Sequence, residues 1–574
     1  MKSESDVGNV RFPNDVVVPR GRVSCLHRWL RQDVLSGFFI FLIALPLCLG
    51  IAAACGFPPV AGLMTAVVGG LLTPFISNSE MTIKGPAAGL IVVVFGAMES
   101  FGFTMGVDPL VDLSAYRMTL AVGCIAGIVQ IAFAALRVGK YSDFFPPAVV
   151  HGMLASIGCI IVLKQLPVVV GEKADGDPLE ILSQLPARIH QINPEIALIG
   201  LISLCVLFGM PLAKSCLKQF GLQRIPAPLL VLLLAVPLGI YFDLSHEHTY
   251  SFLGHEYPIS ETFLVSIPHD LISAITTPDF NVFVEPTTRL TACWWVMMFS
   301  IIGSVESLLS AKAIDVVDPW KRKTSMDRDL LSVAVANIFA SSIGGLPMIS
   351  EIVRSKANID NGGHTRFANF WHAIFLLAFL VSVPALLHRI PLAALAAMLV
   401  YTGYRLASPR EFINVFEIGP EQLAIFVITI IGVLSTDLLT GVGIGVAAKF
   451  LVHVMNGVPP KEFFKPFLQA TEIDETTVQI NAAGSAVFSN WLPFRRQIEQ
   501  IGLVQRNNVI VNLAGTRLID SNVMEKLDEL QCDFLHEGLS LEIIGLDNHQ
   551  PFSRHRHATR RLPKQREAKE SAPL

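Results

Sequence analysis

Lys84-Gly85-Pro86-Ala87-Ala88-Gly89 and Gly344-Gly345-Leu346-Pro347 are two interruptions in an otherwise apolar chain. Each puts Gly and Pro at the start of a short apolar run, where proline has no N–H to leave unsatisfied and glycine lets backbone approach a ligand. The free N–H groups and positive dipole end of a helix that starts there favour an anion. Working outward, fourteen apolar segments fill residues 35–456, at 35–54, 57–76, 85–103, 116–136, 146–169, 196–216, 225–243, 289–310, 329–343, 347–356, 366–386, 390–405, 421–435 and 437–455. A bilayer core of about 30 Å needs about 20 helical residues, so most of these are read as spans and the shortest as broken ones. One interruption opens the third segment and the other the third of the second seven. Corresponding breaks in two halves point to a midplane site built by inverted repeats.

Composition agrees with a chain dissolved in lipid. Of 574 residues, 52% are hydrophobic and 16% charged, and the mean hydropathy is +0.55. A large water-soluble enzyme, a disordered scaffold and a nucleic-acid binder are excluded, because none tolerates so much apolar side chain without an apolar solvent. There is no GxxxxGK[ST], HExxH or GxSxG arrangement, so no enzymatic activity or ATP-driven pumping is expected, and no cofactor. The nine cysteines are scattered without a CxxC pair, which argues against a disulfide framework and a zinc site.

Lysine and arginine mark the retained side of the membrane. Lys2, Arg11, Arg20, Arg22, Arg28 and Arg31 place the segment 1–34 inside. Arg137 and Lys140 follow the fourth span, Lys214, Lys218 and Arg224 the sixth, and Lys312, Lys321, Arg322, Lys323 and Arg328 the eighth. The stretch 242–288 has no Lys or Arg and seven acids, as an external loop would. With an even number of crossings both termini are cytoplasmic, in a bacterial-type inner (plasma) membrane. Beyond Gly457, strand-like runs at 477–481, 485–489, 508–513 and 539–544 alternate with helix-like runs at 491–501 and 521–534. Residues 461–548 therefore read as a cytoplasmic α/β domain and 549–574 as a basic, mobile tail.

Polar groups inside spans are functional candidates by default. In the eighth span Gly303, Glu306, Ser307 and Ser310 fall at i, i+3, i+4 and i+7, one small polar stripe. Glu306 reads as a coupling group, holding Na⁺ when ionised or carrying H⁺ when protonated, or else as a structural acid bonded to a neighbouring helix. In the tenth segment Ser350 and Arg354 share a helical face and offer a hydroxyl and a guanidinium to an oxyanion, with Lys84 a further candidate cation. Glu351 and Arg354 could equally satisfy each other as an i, i+3 pair.

These residues resemble the SulP family of inorganic anion transporters. The likeness covers nearly the whole chain, through Ala44-Leu45-Pro46-Leu47, Gly56-Phe57-Pro58-Pro59-Val60-Ala61-Gly62-Leu63, Gly85-Pro86-Ala87-Ala88-Gly89, Gly303-Ser304-Val305-Glu306-Ser307-Leu308-Leu309-Ser310, Gly344-Gly345-Leu346-Pro347, Val353-Arg354-Ser355 and Ile390-Pro391-Leu392-Ala393-Ala394-Leu395. It implies a seven-plus-seven inverted repeat of uracil-permease type, with a core and a gate domain, an elevator-like movement and a homodimer. It also implies anion binding between the starts of the third and tenth helices, at Gly85, Pro86, Ala87, Ala88, Pro347, Met348, Ser350 and Arg354, with Glu306 and Ser310 for the coupling ion. The end of the chain resembles a STAS domain in Val511-Asn512-Leu513-Ala514-Gly515-Thr516-Arg517-Leu518-Ile519-Asp520-Ser521, and Asn522-Val523 departs from the Ser/Thr-Gly usual after a phosphorylated serine. Secondary active transport of sulfate or bicarbonate is the activity implied, an anion channel or a membrane sensor signalling through the STAS domain the alternatives.

Overall fold

The computed structural model describes residues 18–21, 27–139, 144, 146–172, 178–188, 192–212, 226–252, 255–265, 275–382, 387–436 and 438–563. Lys2, Arg11, Arg22, Lys140, Lys214, Lys218 and Arg224, used above to orient the chain, lie outside the described residues.

The first half consists of α1 (Leu30–Ala54), α2 (Pro59–Ile76), the short strand β1 (Ile83–Gly85), α3 (Ile91–Ser100), α4 (Pro109–Ala135), α5 (Pro147–Val169), α6 (Pro178–Arg188), α7 (Pro194–Leu212) and α8 (Ala227–Tyr241). A hairpin of β2 (His248–Phe252) and β3 (His255–Ile259) precedes the second half. That half contains α9 (Pro286–Val317), α10 (Met326–Ser342), β4 (Ile349–Glu351), α11 (Ile352–Asp360), α12 (Phe367–Ser382), α13 (Leu392–Leu406), α14 (Pro409–Ile418), α15 (Pro420–Ser435) and α16 (Leu438–Met455). Proline sets many of these starts: Pro59, Pro109, Pro147, Pro286 and Pro420 are each the first residue of their helix, the position where the missing N–H costs nothing. At α4 the Asp108 carboxylate also accepts the Leu110 N–H at 3.0 Å.

Seven described helices are long and apolar enough to cross a bilayer alone. Their outward faces carry exposed Leu201, Leu290 and Leu451, and the shorter apolar helices α8 and α15 expose Leu233, Ile240 and Ile431, apolar side chains that lipid accepts. Two helical bodies result. α1, α2 and α4 pack with α9, α10 and α12, while α5 and α7 pack with α13, and α5 also with α15 and α16. The protein is a polytopic α-helical membrane protein of seven-plus-seven inverted-repeat design, in which α3 and α11 occupy corresponding places.

The C-terminal STAS-type domain is built on a sheet ordered β5 (Phe467–Asp474), β6 (Thr477–Ala486), β7 (Asn508–Ile519), β10 (Arg560–Arg561), β9 (Gln550–Pro551), with β8 (Leu541–Ile544) also on β7. β6, β7 and β8 run parallel. Helices α17 (Trp491–Glu499) and α18 (Ser521–His536) cover it, burying Trp491, Phe494, Leu527 and Phe534 on Val509, Val511 and Leu513. Two expectations need correction. The runs 477–481 and 485–489 are not two strands, because β6 continues through Gly484, whose φ of +79° only glycine takes without strain. The tail expected from 549 is also shorter: β10 pairs with β7 at Arg560–Ile519 and Arg561–Leu518, so the fold extends to Leu562, whose N–H bonds Arg517 O, and 564–574 lie outside the described residues.

The STAS domain is fastened to the last span. Lys449 of α16 reaches Asp520 Oδ1 at 2.7 Å and Gln422 Oε1 at 3.0 Å, with both ionic side chains buried, and His453 Nε2 lies 3.6 Å from Asp520 Oδ2. Burial alone would raise the Asp520 carboxyl, but the Lys449 ammonium and the His453 ring beside it hold it well below the usual carboxylate range.

Candidate anion site

β1 and β4 pair antiparallel, Ile83 with Glu351, Lys84 with Ser350 and Gly85 with Ile349. β1 leads through a 3-10 turn (Ala88–Leu90) into α3, and β4 leads directly into α11, so the two helices leave in opposite directions and their N-terminal ends face each other. Unwound backbone at membrane depth needs internal partners. Leu346 N donates to Thr65 Oγ1 at 2.7 Å, Tyr116 donates to Gly344 O at 2.6 Å, and Asn337 holds both sides of residue 348, accepting Met348 N at 2.6 Å and donating to Met348 O at 3.2 Å.

Arg354, on the first turn of α11, brings a guanidinium to this junction. Its side chain is 1% exposed. The guanidinium lies over the other half's break, donating to Pro86 O and, at 3.4 Å, to Cys48 Sγ of α1. A methyl group on Gly85 would stand 2.7 Å from Arg354 Nη1, so a side chain there would displace the guanidinium. Arg354 and Ala88 line a cavity of about 20 Å³ with Glu351, Leu47 and Ile51 of α1 and Leu399 and Thr402 of α13. That is room for one water and not for a tetrahedral oxyanion. The cavity lies where one helical body meets the other.

Glu306 of α9 lies against Gly89, at the other end of the same break. Its residue is 7% exposed, and Oε2 has no hydrogen-bond partner among the described residues. Ser310 is buried one turn further on. A second cavity, about 10 Å³, is lined by Gly303, Gln130, Asn337, Pro347 and Met348.

The expected site residues therefore divide. Gly85, Pro86, Ala88 and Arg354 come together, and Ala87 is buried at the start of the turn between Pro86 and Ala88. Pro347 and Met348 line the other cavity. Ser350 does not share a face with Arg354: it lies in β4, not on a helix, and its hydroxyl meets Lys84, Asp329 Oδ2 at 2.9 Å and Ser307 Oγ at 3.1 Å. Lys84 is not a free cation for an anion either. Its ammonium donates to both Asp329 oxygens, at 2.7 and 2.8 Å, and to Thr82 Oγ1 at 2.7 Å. Asp329, Gln130 and Thr402 are the residues that sequence reading passed over, and Asn337, part of the Ala336-Asn337 motif of the family resemblance, was given no place in the site. Asp329 gave no distinct signal, since Asp327-Arg328-Asp329 reads as a polar junction.

An apolar helical bundle with a buried guanidinium between two helix starts places the protein among membrane anion transporters. A sequence model of the sulfate permease family matches residues 30–429, and the chain belongs to that family. It is similar to YvdB of Bacillus subtilis, named provisionally for sulfate transport, with 26% identity over 438 residues, 74% of this chain and 73% of that one. The bicarbonate transporter BicA of Picosynechococcus sp. is 24% identical over 429 residues, 75% of this chain and 70% of that one. The solved structure of SLC26A9 superposes with a TM-score of 0.65 over 91% of this chain and 85% of that one, at 14% identity, a likeness of fold.

Proposed function

We propose that this protein is a secondary active transporter of a small inorganic oxyanion, sulfate or bicarbonate. The observation that carries the reading is Arg354: a buried guanidinium at the meeting point of two helix N-termini, lining a cavity shared with α13 of the other helical body. Charge-assisted hydrogen bonds from a guanidinium and the positive ends of α3 and α11 suit an oxyanion. Gly85, Pro86, Ala87 and Ala88 supply close backbone from one half, and Pro347, Met348 and Ser350 shape the other. The body holding α1–α4 and α9–α12 carries the anion in an elevator-like movement against the body holding α5, α7, α8, α13, α15 and α16. Glu306, with Ser310, is the group that couples movement to H⁺ or Na⁺. The protein works as a homodimer in the inner membrane, with both termini in the cytoplasm.

Gradient-driven uptake in liposomes tests this. Wild-type protein accumulates labelled sulfate or bicarbonate under an imposed proton or sodium gradient, whereas a channel or a sensor accumulates neither. Glu306→Gln retains anion binding and loses driven accumulation; unchanged accumulation removes Glu306 from the coupling.

A further inference from the structure

The start of α11 is already occupied by an anion from the chain itself. Glu351 caps this helix, its Oε2 accepting the Arg354 N–H at 2.6 Å and lying 3.4 Å from Arg354 Nε. One carboxylate thus takes the helix-terminal N–H and the guanidinium together, the two donors that Proposed function assigns to the substrate. Ser, Thr, Asp and Asn are the preferred caps, and a longer charged side chain is not needed to satisfy one N–H. Unlike Arg354, Glu351 is partly open, with 15% of its side chain exposed, and it borders the cavity opposite Leu399 and Thr402. The cavity admits only a water while the carboxylate is there.

We propose that Glu351 is a tethered competitor: its carboxylate holds the anion position in the empty transporter and must withdraw before substrate binds. This rests on the reading of Arg354 as the anion's partner. Paired with Glu351, Arg354 presents no net charge to an incoming anion, and Glu306 stands against Gly89 at the other end of the same break. Withdrawal of Glu351 restores one uncompensated cation, so binding strength is set by how readily this side chain leaves. The empty site is kept closed by the same contact.

The test is equilibrium binding of labelled sulfate and of bicarbonate to the purified full-length protein, in wild type, Glu351→Gln, Glu351→Ser and Arg354→Ala. Serine keeps a cap for the Arg354 N–H while removing the charge and the reach. Both Glu351 variants are expected to bind about tenfold tighter or more, since a competing unit charge at contact distance is removed. Arg354→Ala is expected to lose binding. If Arg354→Ala binds as wild type does, the site itself is misassigned. If Arg354→Ala loses binding while neither Glu351 variant gains, only the competitor is overturned. Failure of both Glu351 variants to fold would make the carboxylate a structural cap and overturn it equally.

Discussion

The carboxyl group of Glu306 fills the space into which a side chain at position 89 would grow: a methyl group on Gly89 would stand 1.7 Å from Oε1 and 2.4 Å from Cδ of Glu306. Gly85 has the same relation to Arg354. The two glycines of one break are therefore sockets, one for an acid from α9 and one for a base from α11, and the backbone between them brings both within a few residues of each other.

Gly89→Ala should expel the Glu306 carboxylate, because 1.7 Å is far inside contact distance and the neighbouring turn is buried. The expected result is a folded protein whose gradient-driven uptake falls about tenfold or more, the acid having lost its place. Shortening the acid in the same protein, with Glu306→Asp, should recover part of the uptake. Uptake in liposomes decides it: full activity of Gly89→Ala alone would show that the carboxylate can sit elsewhere.

Lys84→Met should destabilise the protein without a matching effect on anion affinity. It leaves Asp329 buried and unpaired, which costs about 3–5 kcal/mol, and Lys84 spends its donors on Asp329, Thr82 and Ser350. Thermal unfolding in detergent should show a lowered Tm, partly restored by Lys84→Met with Asp329→Leu. A stable Lys84→Met protein with weakened sulfate or bicarbonate binding would return Lys84 to the anion site.

The Lys449–Asp520 contact should be insensitive to pH through the neutral range. Asp520 ionises more readily in the folded state than in the unfolded one, so its stabilisation is present above the ordinary carboxylate value of about 4 and is lost as pH falls through the lower folded value. Protease cleavage at residues 456–460, between α16 and the STAS domain, should stay slow from about pH 8 to 5 and accelerate only in stronger acid. Asp520→Asn should accelerate it at every pH. A transition centred near neutrality would overturn the assignment of this contact's pH response to Asp520.

Much of the architecture was legible because two physical signals are local: apolar runs of bilayer length and glycine-proline breaks at their ends. Glu306 was legible for a related reason, as an acid on a small polar stripe. What escaped depends on partners far along the chain. Lys84 and Asp329 are 245 residues apart, and neither neighbourhood hints at the other. Ser350 and Arg354 share a face only in a helix, whereas Pro347 and the pairing with β1 keep Ile349–Glu351 extended. Glu351 was read as half of an i, i+3 pair, a pattern that says nothing of its place as the cap at the start of α11. Strand β5 was missed for want of apolar alternation, since it lies almost wholly exposed at the edge of its sheet.

The three-residue ladder between β1 and β4 works as a gauge. Main-chain hydrogen bonds, not side-chain packing, fix how far the start of α3 lies from the start of α11. Substitutions can change what lines the gap, but the width of the gap is written in peptide units that every amino acid shares. Any ligand taken between those helix ends meets a constant field in a setting whose walls are free to vary. Preference among anions of different shape can therefore drift during evolution while the sign of the accepted charge stays put.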